Sequence, residues 1–183
     1  ALVGGDLVRV GENNTVKPVD GFFGTANNLR SVALSSDGTL VAAVAATGRP
    51  APAAPDALVV GTYGGGAFPV ADGGSITRPT WGPDRDAVWA VVDGTSVIRA
   101  ARDPQSGQVT VGTVDASALG QVGGRISELR LSRDGTRAAL IISGAVYVST
   151  VVREPSGTYS LQAPTAVATG LGGAALSLDW STG

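Results

Sequence analysis

Cysteine and histidine are both absent from the 183 residues. Without Cys there is no disulfide framework, no thiolate nucleophile and no cysteine-based zinc site. Without His there is no Ser-His-Asp triad, no histidine general base and no imidazole metal ligand. Charge is sparse as well: 15 % of residues are charged, the net charge is -2, and the 13 basic residues are scattered. A nucleic-acid binder needs a concentrated basic footprint, so that class is set aside. No apolar run reaches about 18 residues, and no charged segment leads into an apolar stretch at the start. Neither a membrane span nor a signal peptide is therefore expected within these residues. The chain opens on Ala1 instead of Met, as a processed or excised piece would.

What the chain has in quantity is 27 Gly, 10 Pro and 43 % hydrophobic residues. That is enough apolar material for a core, arranged between many turns. A turn signal recurs as Ser35-Ser36-Asp37-Gly38, Gly82-Pro83-Asp84-Arg85 and Ser132-Arg133-Asp134-Gly135, and Trp180-Ser181-Thr182-Gly183 falls where a fourth copy would begin. Ser35, Gly82, Ser132 and Ser181 stand 47, 50 and 49 residues apart. Periods of that size belong to propeller blades and other arrays, because one small sheet cannot bury both faces alone.

The copies predict a strand before each turn, over 29–35, 76–82, 126–132 and 175–181. One face carries Val32 and Leu34, Pro79 and Trp81, Leu129 and Leu131, Leu178 and Trp180; the other carries Ser31 and Ala33, Arg78 and Thr80, Glu128 and Arg130, Ser177 and Asp179. A period of two is the strand signature. Asp-Gly suits a tight hairpin, and the Pro83-Asp84-Arg85-Asp86 variant a longer type I turn. The strands after the turns (39–46, 87–92, 136–142) are almost continuously apolar, as in sheets covered on both faces. Two more strands per unit are predicted at 57–63 and 67–71, 96–101 and 108–114, 145–153 and 158–167. The expected fold is all-β: a β-propeller of four-stranded antiparallel blades repeating every 48 residues or so. The blades are 1–28 (lacking a first strand), 29–75, 76–125, 126–174, and 175–183 as a first strand only. An incomplete propeller is expected, with residues 1–5 and 176–181 apart; their pairing would instead close a four-bladed ring. Residues 49–55, crowded with Pro and Ala, read as a loop within the first full blade.

Motifs for chemistry are thin. Gly61-Thr62-Tyr63-Gly64-Gly65-Gly66 lacks the Lys-Ser/Thr of a phosphate loop and reads as a hairpin connection. Asp84 and Asp86 lack the further oxygen ligands of a calcium loop and read as turn carboxylates. Asn13-Asn14-Thr15 matches a glycosylation sequon but suits a turn. The three Glu and twelve Asp mostly occupy turns, so paired carboxylates for glycoside hydrolysis are not expected. Trp81, Trp89 and Trp180 read as core anchors in preference to a stacking platform. The most informative polar set is Arg78, Glu128, Arg130 and Asp179, all on one face of the repeated first strand, which lines a propeller's channel. An ion-pair network between neighbouring blades is the expected use, with ligand binding at the channel as the alternative. No catalytic residue, metal or cofactor is expected.

Several stretches are familiar as a set: Gly5-Asp6-Leu7-Val8-Arg9-Val10 leading to Lys17-Pro18-Val19-Asp20-Gly21, residues 29–38, ISELRLSRDGTRAALIISGAVYVSTVVR over 126–153, and Leu176-Ser177-Leu178-Asp179-Trp180. They resemble the propeller domain of actinobacterial LpqB-type lipoproteins across essentially the whole chain. The resemblance implies a secreted protein of the cell envelope, anchored through a lipidated Cys upstream of these residues. It also implies action with the extracellular sensor of the MtrA-MtrB two-component system, further strands beyond residue 183, and no catalytic motif. The expected function is a non-enzymatic protein-interaction module, its partner a sensor-kinase extracellular domain; the alternative is a propeller that binds a small ligand or cell-wall glycan.

Overall fold

A computed structural model describes residues 2–3, 6–10, 13, 15–18, 29–46, 56–62, 67–84, 86–168 and 173–180. Strands β1 (Leu2–Val3), β2 (Asp6–Val10) and β3 (Val16–Pro18) form a three-stranded antiparallel sheet. Next come two four-stranded antiparallel meanders: β4 (Leu29–Leu34), β5 (Leu40–Ala46), β6 (Asp56–Thr62) and β7 (Ala67–Gly73), then β8 (Thr80–Trp81), β9 (Ala87–Val92), β10 (Ser96–Arg102) and β11 (Val109–Thr113). The last sheet holds β12 (Ile126–Leu131), β13 (Arg137–Ile142), β14 (Ala145–Arg153), β15 (Tyr159–Leu161) and β16 (Thr165–Ala168). The helical element among the described residues is one 3-10 turn, Ser117–Gln121. This is the expected propeller organisation, one meander per repeat.

The uniformly apolar strands are the reason sheets stack. On β5, Val41, Ala43 and Ala45 join a cluster with Leu29, Ala57 and Val59, while Ala42 and Val44 turn to the opposite face. There they meet Val88, Ala90, Ile98 and Ala100 of the next sheet. On β9 the alternate residues Trp89 and Val91 face the third cluster, with Leu129, Leu131, Leu140 and Ile142. A strand buried on both faces has no polar position to spare.

The turns depart from the tight hairpin expected at Asp37-Gly38 and Asp134-Gly135. Gly38 and Gly135 have φ of 71°, but their Asp neighbours do not share the left-handed region, so a type I′ turn is excluded. Instead, Ser35 N donates to Leu40 O (2.9 Å) and Gly38 N to Ser35 O (2.9 Å), a wider loop pinned by side chains. Asp37 Oδ1 accepts from Ser35 Oγ (2.6 Å), Thr39 N (3.0 Å) and Thr39 Oγ1 (2.9 Å). Asp134 repeats the pattern with Ser132 Oγ (2.6 Å) and Thr136 N (3.1 Å). A two-residue hairpin occurs elsewhere, at Ser143-Gly144 (φ 50° and 82°), where Ile142 pairs with Ala145. In the second copy Gly82 N still reaches Ala87 O (2.9 Å).

Three other strand expectations are corrected. The first strand of the second copy is reduced to Thr80–Trp81 plus a bridge from Ile76 to Val92, because Pro79 has no N–H for the ladder. The predicted strand 158–167 is split into β15 and β16, which pair with opposite ends of β14 on either side of Pro164. Residues 174–180 carry no ladder at all. A propeller's first strand pairs with the second strand of its own blade, and none follows it within these residues. Leu2 and Val3 pair with Leu7 and Asp6. The remainder of 1–5, Ser181, the 49–55 loop, Asn14 and Tyr63 to Gly66 lie outside the described residues.

Candidate functional site

The first strands β4, β8 and β12 stand side by side nearest the axis, and each is irregular near its start. Register slips between Leu29 and Ser31 against β5, and between Ile126 and Glu128 against β13, so Arg30 and Ser127 are the extra residues of two bulges. At the matching place in the second copy, Thr77 N donates to Val91 O (2.9 Å) and Thr77 Oγ1 accepts from Val91 N (3.0 Å). The hydroxyl stands in for a backbone carbonyl. Bulges re-aim the side chains that follow them, and here these include Glu128 and Arg130.

Glu128 and Arg130 are both buried, and they form an ion pair with each other. The expected network between blades is thus corrected: the salt bridge lies within β12, two residues apart on one face. The link to the neighbouring sheet is a hydrogen bond from Arg130 Nη1 to the Arg78 carbonyl (3.0 Å), and the same nitrogen donates to Leu129 O (2.8 Å). Burial pushes the Glu128 carboxyl above its ordinary range, opposed by the charges of Arg130 and Arg78. Burial likewise pulls Arg130 down from the usual guanidinium value, opposed by Glu128.

Arg78 itself is exposed, on the ladder-free stretch before β8, and Asp179 is exposed on the C-terminal segment, its Oδ1 accepting from Trp180 N (2.9 Å). The fold brings Arg78, Arg130 and Asp179 to one open cleft of about 720 Å³ at the mouth of the first strands. Glu128 sits behind Arg130 and does not line it. The other walls include Leu34, Asp37, Trp81, Pro83 and Arg133.

The sequence marks none of these five as a site residue, and Leu34 and Arg133 show why. Leu34 shares an apolar strand face with Val32 in the sequence pattern, yet it is 53 % exposed, whereas Leu131 in the third copy is 7 % exposed. The sheet preceding β12 has four strands, while that preceding β4 has three short ones. Arg133 left no signal beyond its place in a turn. Asp56 was also missed: it is buried, takes Arg30 Nη1 at 2.9 Å and accepts from Ile76 N (3.2 Å) across the sheet boundary. A lone acid heading the apolar run 57–60 was the available clue. Asp84, expected to be a solvated turn carboxylate, pairs with Arg99 (2.9 Å) and accepts from the Tyr159 hydroxyl (3.1 Å).

The tryptophans serve as pins. Trp89 is buried edge-on to Tyr159, with ring centroids 5.3 Å apart. Trp81 Nε1 donates to Ala33 O (3.0 Å), and Trp180 Nε1 to Arg130 O (3.1 Å). Ala33 and Arg130 occupy matching places in their repeats. The segment 174–180 therefore docks on the last sheet as β8 docks on the β4–β7 sheet. Among the described residues no group of three or more His, Cys, Asp or Glu is arranged to hold a metal ion.

The family model for the lipoprotein LpqB β-propeller domain matches residues 5–183. This chain belongs to the LpqB β-propeller family. It is 57 % identical over 182 residues to lipoprotein LpqB of Rhodococcus opacus, 55 % over 189 residues to that of Nocardia farcinica, and 44 % over 184 residues to that of Mycobacterium tuberculosis. Each comparison takes in 100 % of this chain but 30 % or 31 % of the relative's length. Among solved structures, a gluconolactonase of Xanthomonas campestris superposes with TM-score 0.57 at 14 % identity, covering 88 % of this chain and 56 % of its own. A Lactobacillus plantarum protein superposes at 0.56 and 14 % identity, covering 88 % and 50 %. At that identity the likeness shows the fold alone. The relatives of the LpqB family are named lipoproteins, a lipid-anchored class; no helix among the described residues is long and apolar enough to cross a membrane.

Proposed function

We propose that this LpqB-family propeller is a non-enzymatic protein-interaction module of a secreted envelope lipoprotein, anchored through a lipidated Cys outside these residues. Its proposed partner is the extracellular domain of the sensor kinase of the MtrA-MtrB two-component system. One observation carries the reading. The charges nearest the axis are consumed internally by the Glu128–Arg130 pair, while the mouth above them is an open surface of exposed Leu34, half-buried Trp81 and exposed arginines. Rigid meanders presenting apolar and cationic groups side by side suit recognition of another macromolecule, since little freedom is lost on binding. The test is capture of envelope proteins by the full-length protein, followed by direct titration with the sensor's extracellular domain. Saturable binding of that domain is expected; its absence overturns the partner, and failure to capture any envelope protein overturns the module.

A second reading is supported by the size of the cleft, about 720 Å³, and by the indole of Trp81 in its wall. Such dimensions suit a small ligand or a cell-wall glycan. Titration with cell-wall fragments distinguishes it: saturable binding lost in Arg78→Gln selects the glycan.

A further inference from the structure

The outer edges of the sheets are not equally protected. A sheet edge leaves backbone N–H and C=O groups open, and soluble proteins blunt such edges with charge, proline, bulges or shortness. Strand β3 carries Lys17 and Pro18, and β7 carries Pro69, Asp72 and a register shift opposite Leu58 and Val59. On the last sheet the edge is divided between β15 and β16, on either side of Pro164. Strand β11, Val109-Thr110-Val111-Gly112-Thr113, has none of these devices: no charge, no proline and an unbroken register. Residues 110–113 are exposed, while Val109 packs on the cluster that holds Ile98 and Ala100.

Which groups stay open follows from the ladder. Asp103 N donates to Gln108 O (2.8 Å) and Val114 N to Val97 O (2.9 Å), at the two ends of the β10–β11 pairing. Bonded pairs alternate in an antiparallel ladder, so Thr110 and Gly112 bond to Ala101 and Arg99. Val109, Val111 and Thr113 therefore point their N–H and C=O groups away from β10, and nothing among the described residues meets them. This set is symmetric about Val111. We propose that β11 pairs antiparallel with β11 of a second copy of the chain, the two-fold axis passing through Val111. Val111 then exchanges both backbone bonds with its own counterpart, and Val109 does so with Thr113 of the other copy. Thr110 falls opposite Gly112, whose Cβ position has nothing within 4 Å, so the threonine has room. No charge in 109–113 is set against its own copy, as Lys17 would be on β3. The two valines at the axis make a β-branched cross-strand pair. One strand pair buries far less than a standard interface, so the association is weak and reversible.

Sedimentation velocity of the full chain, over a dilution series up to millimolar, should show a reversible monomer–dimer equilibrium. The outcome is independent of partner capture, because β11 lies at the outer edge of its sheet and the mouth at the inner one. V111P deletes one N–H per copy, and that group faces away from β10, so the sheet's own ladder is untouched. It should weaken the dimer at least about tenfold, the factor expected of two lost backbone hydrogen bonds. V111K sets two ammonium groups at the axis and should weaken it as much. V167K alters an exposed valine on β16 and should match the parent. Thermal unfolding of each variant checks that the fold persists. Register is read by cross-linking, since the chain has no cysteine of its own. T110C and G112C chains, mixed under mild oxidation, should form a disulfide, whereas each alone should form little, because residue 110 lies directly opposite 112. A chain that stays monomeric throughout the series, a dimer indifferent to V111P and V111K, or equal cross-linking in all three samples overturns the proposal.

Discussion

Replacing Arg130 with Met keeps an apolar stem and deletes the counter-charge of a buried carboxylate. The Glu128 and Arg130 side chains are only 10 % and 8 % exposed, so water cannot take the guanidinium's place. Glu128 then has one escape, which is to take up a proton. Holding that proton at pH 7, about 2.7 units above an unfolded-state pKa of about 4.3, costs roughly 3.7 kcal/mol. Loss of the hydrogen bonds to the Arg78 and Leu129 carbonyls adds about 1 kcal/mol. The expected cost is therefore about 4 to 5 kcal/mol at pH 7. Its sign with pH follows from the raised carboxyl: the penalty exists only where the unfolded chain has released the proton. It should shrink by about 1.4 kcal/mol per unit as pH falls from 7 toward 5. Glu128→Gln behaves differently, because the stranded Arg130 cannot shed its charge and its cost stays nearly level across that window. The double variant E128Q/R130M should recover most of the loss, since a pair removed together leaves no orphan charge. Urea unfolding followed by tryptophan fluorescence at pH 5, 6 and 7 reads all three. A cost for Arg130→Met below about 1 kcal/mol, unchanged with pH, would show that the pair is solvated and refute the reasoning.

Leu131→Ala should cost about 2 to 5 kcal/mol in the same assay, while Val32→Ala, only half-buried on the same face of the first copy's strand, should cost about 1 kcal/mol; equal costs would deny that Leu131 is in the core. Trp81→Phe keeps an aromatic ring but strands the Ala33 carbonyl, for a loss of about 1 to 2 kcal/mol, and no change in melting temperature would dismiss the pin. Hydrogen bonds from Ser35 and then Thr39 hold the Asp37 carboxyl down at about 2, and Ser132 and then Thr136 lower Asp134 likewise. Depressed carboxyls contribute stability above the unfolded pKa that is lost as pH falls through the folded one. Melting temperature should thus drop between about pH 4 and pH 2, and drop less in Asp37→Asn/Asp134→Asn.

Several features of the candidate site were readable without coordinates, and particular residues show why others were not. Arg78, Glu128, Arg130 and Asp179 could be grouped because repeats of similar length put matching positions at one radius from the axis. Their pairing could not be read: a bulge at Ser127 sets the final orientation of the strand, and no residue type there announces it. The ion pair within β12 in place of one between sheets is the result. The exposure of Leu34 was not legible either, because alternation says which residues share a face, not whether a neighbouring sheet covers that face. Asp37-Gly38 was expected to form a two-residue turn, but Ser35 and Thr39 offer side-chain hydrogen bonds that stabilise a wider loop.

By itself the amino-acid order determined the all-β class, the period of the array and the strands buried on both faces, because these depend on local alternation and on turn chemistry repeated along the chain. The Pro79 break has its cause in one residue, a missing N–H, although the alternation over 76–82 predicts an unbroken strand. Only the tertiary structure decided which charges are spent and which are open. Arg130 is fixed by Glu128 beside it and by the carbonyl of Arg78, 52 residues away. Arg78 and Arg133 have exposed side chains in one cleft only because adjacent meanders stack with their first strands inward. Such pairings depend on distances of a few ångströms across sheet boundaries, and no pattern within a single strand encodes them.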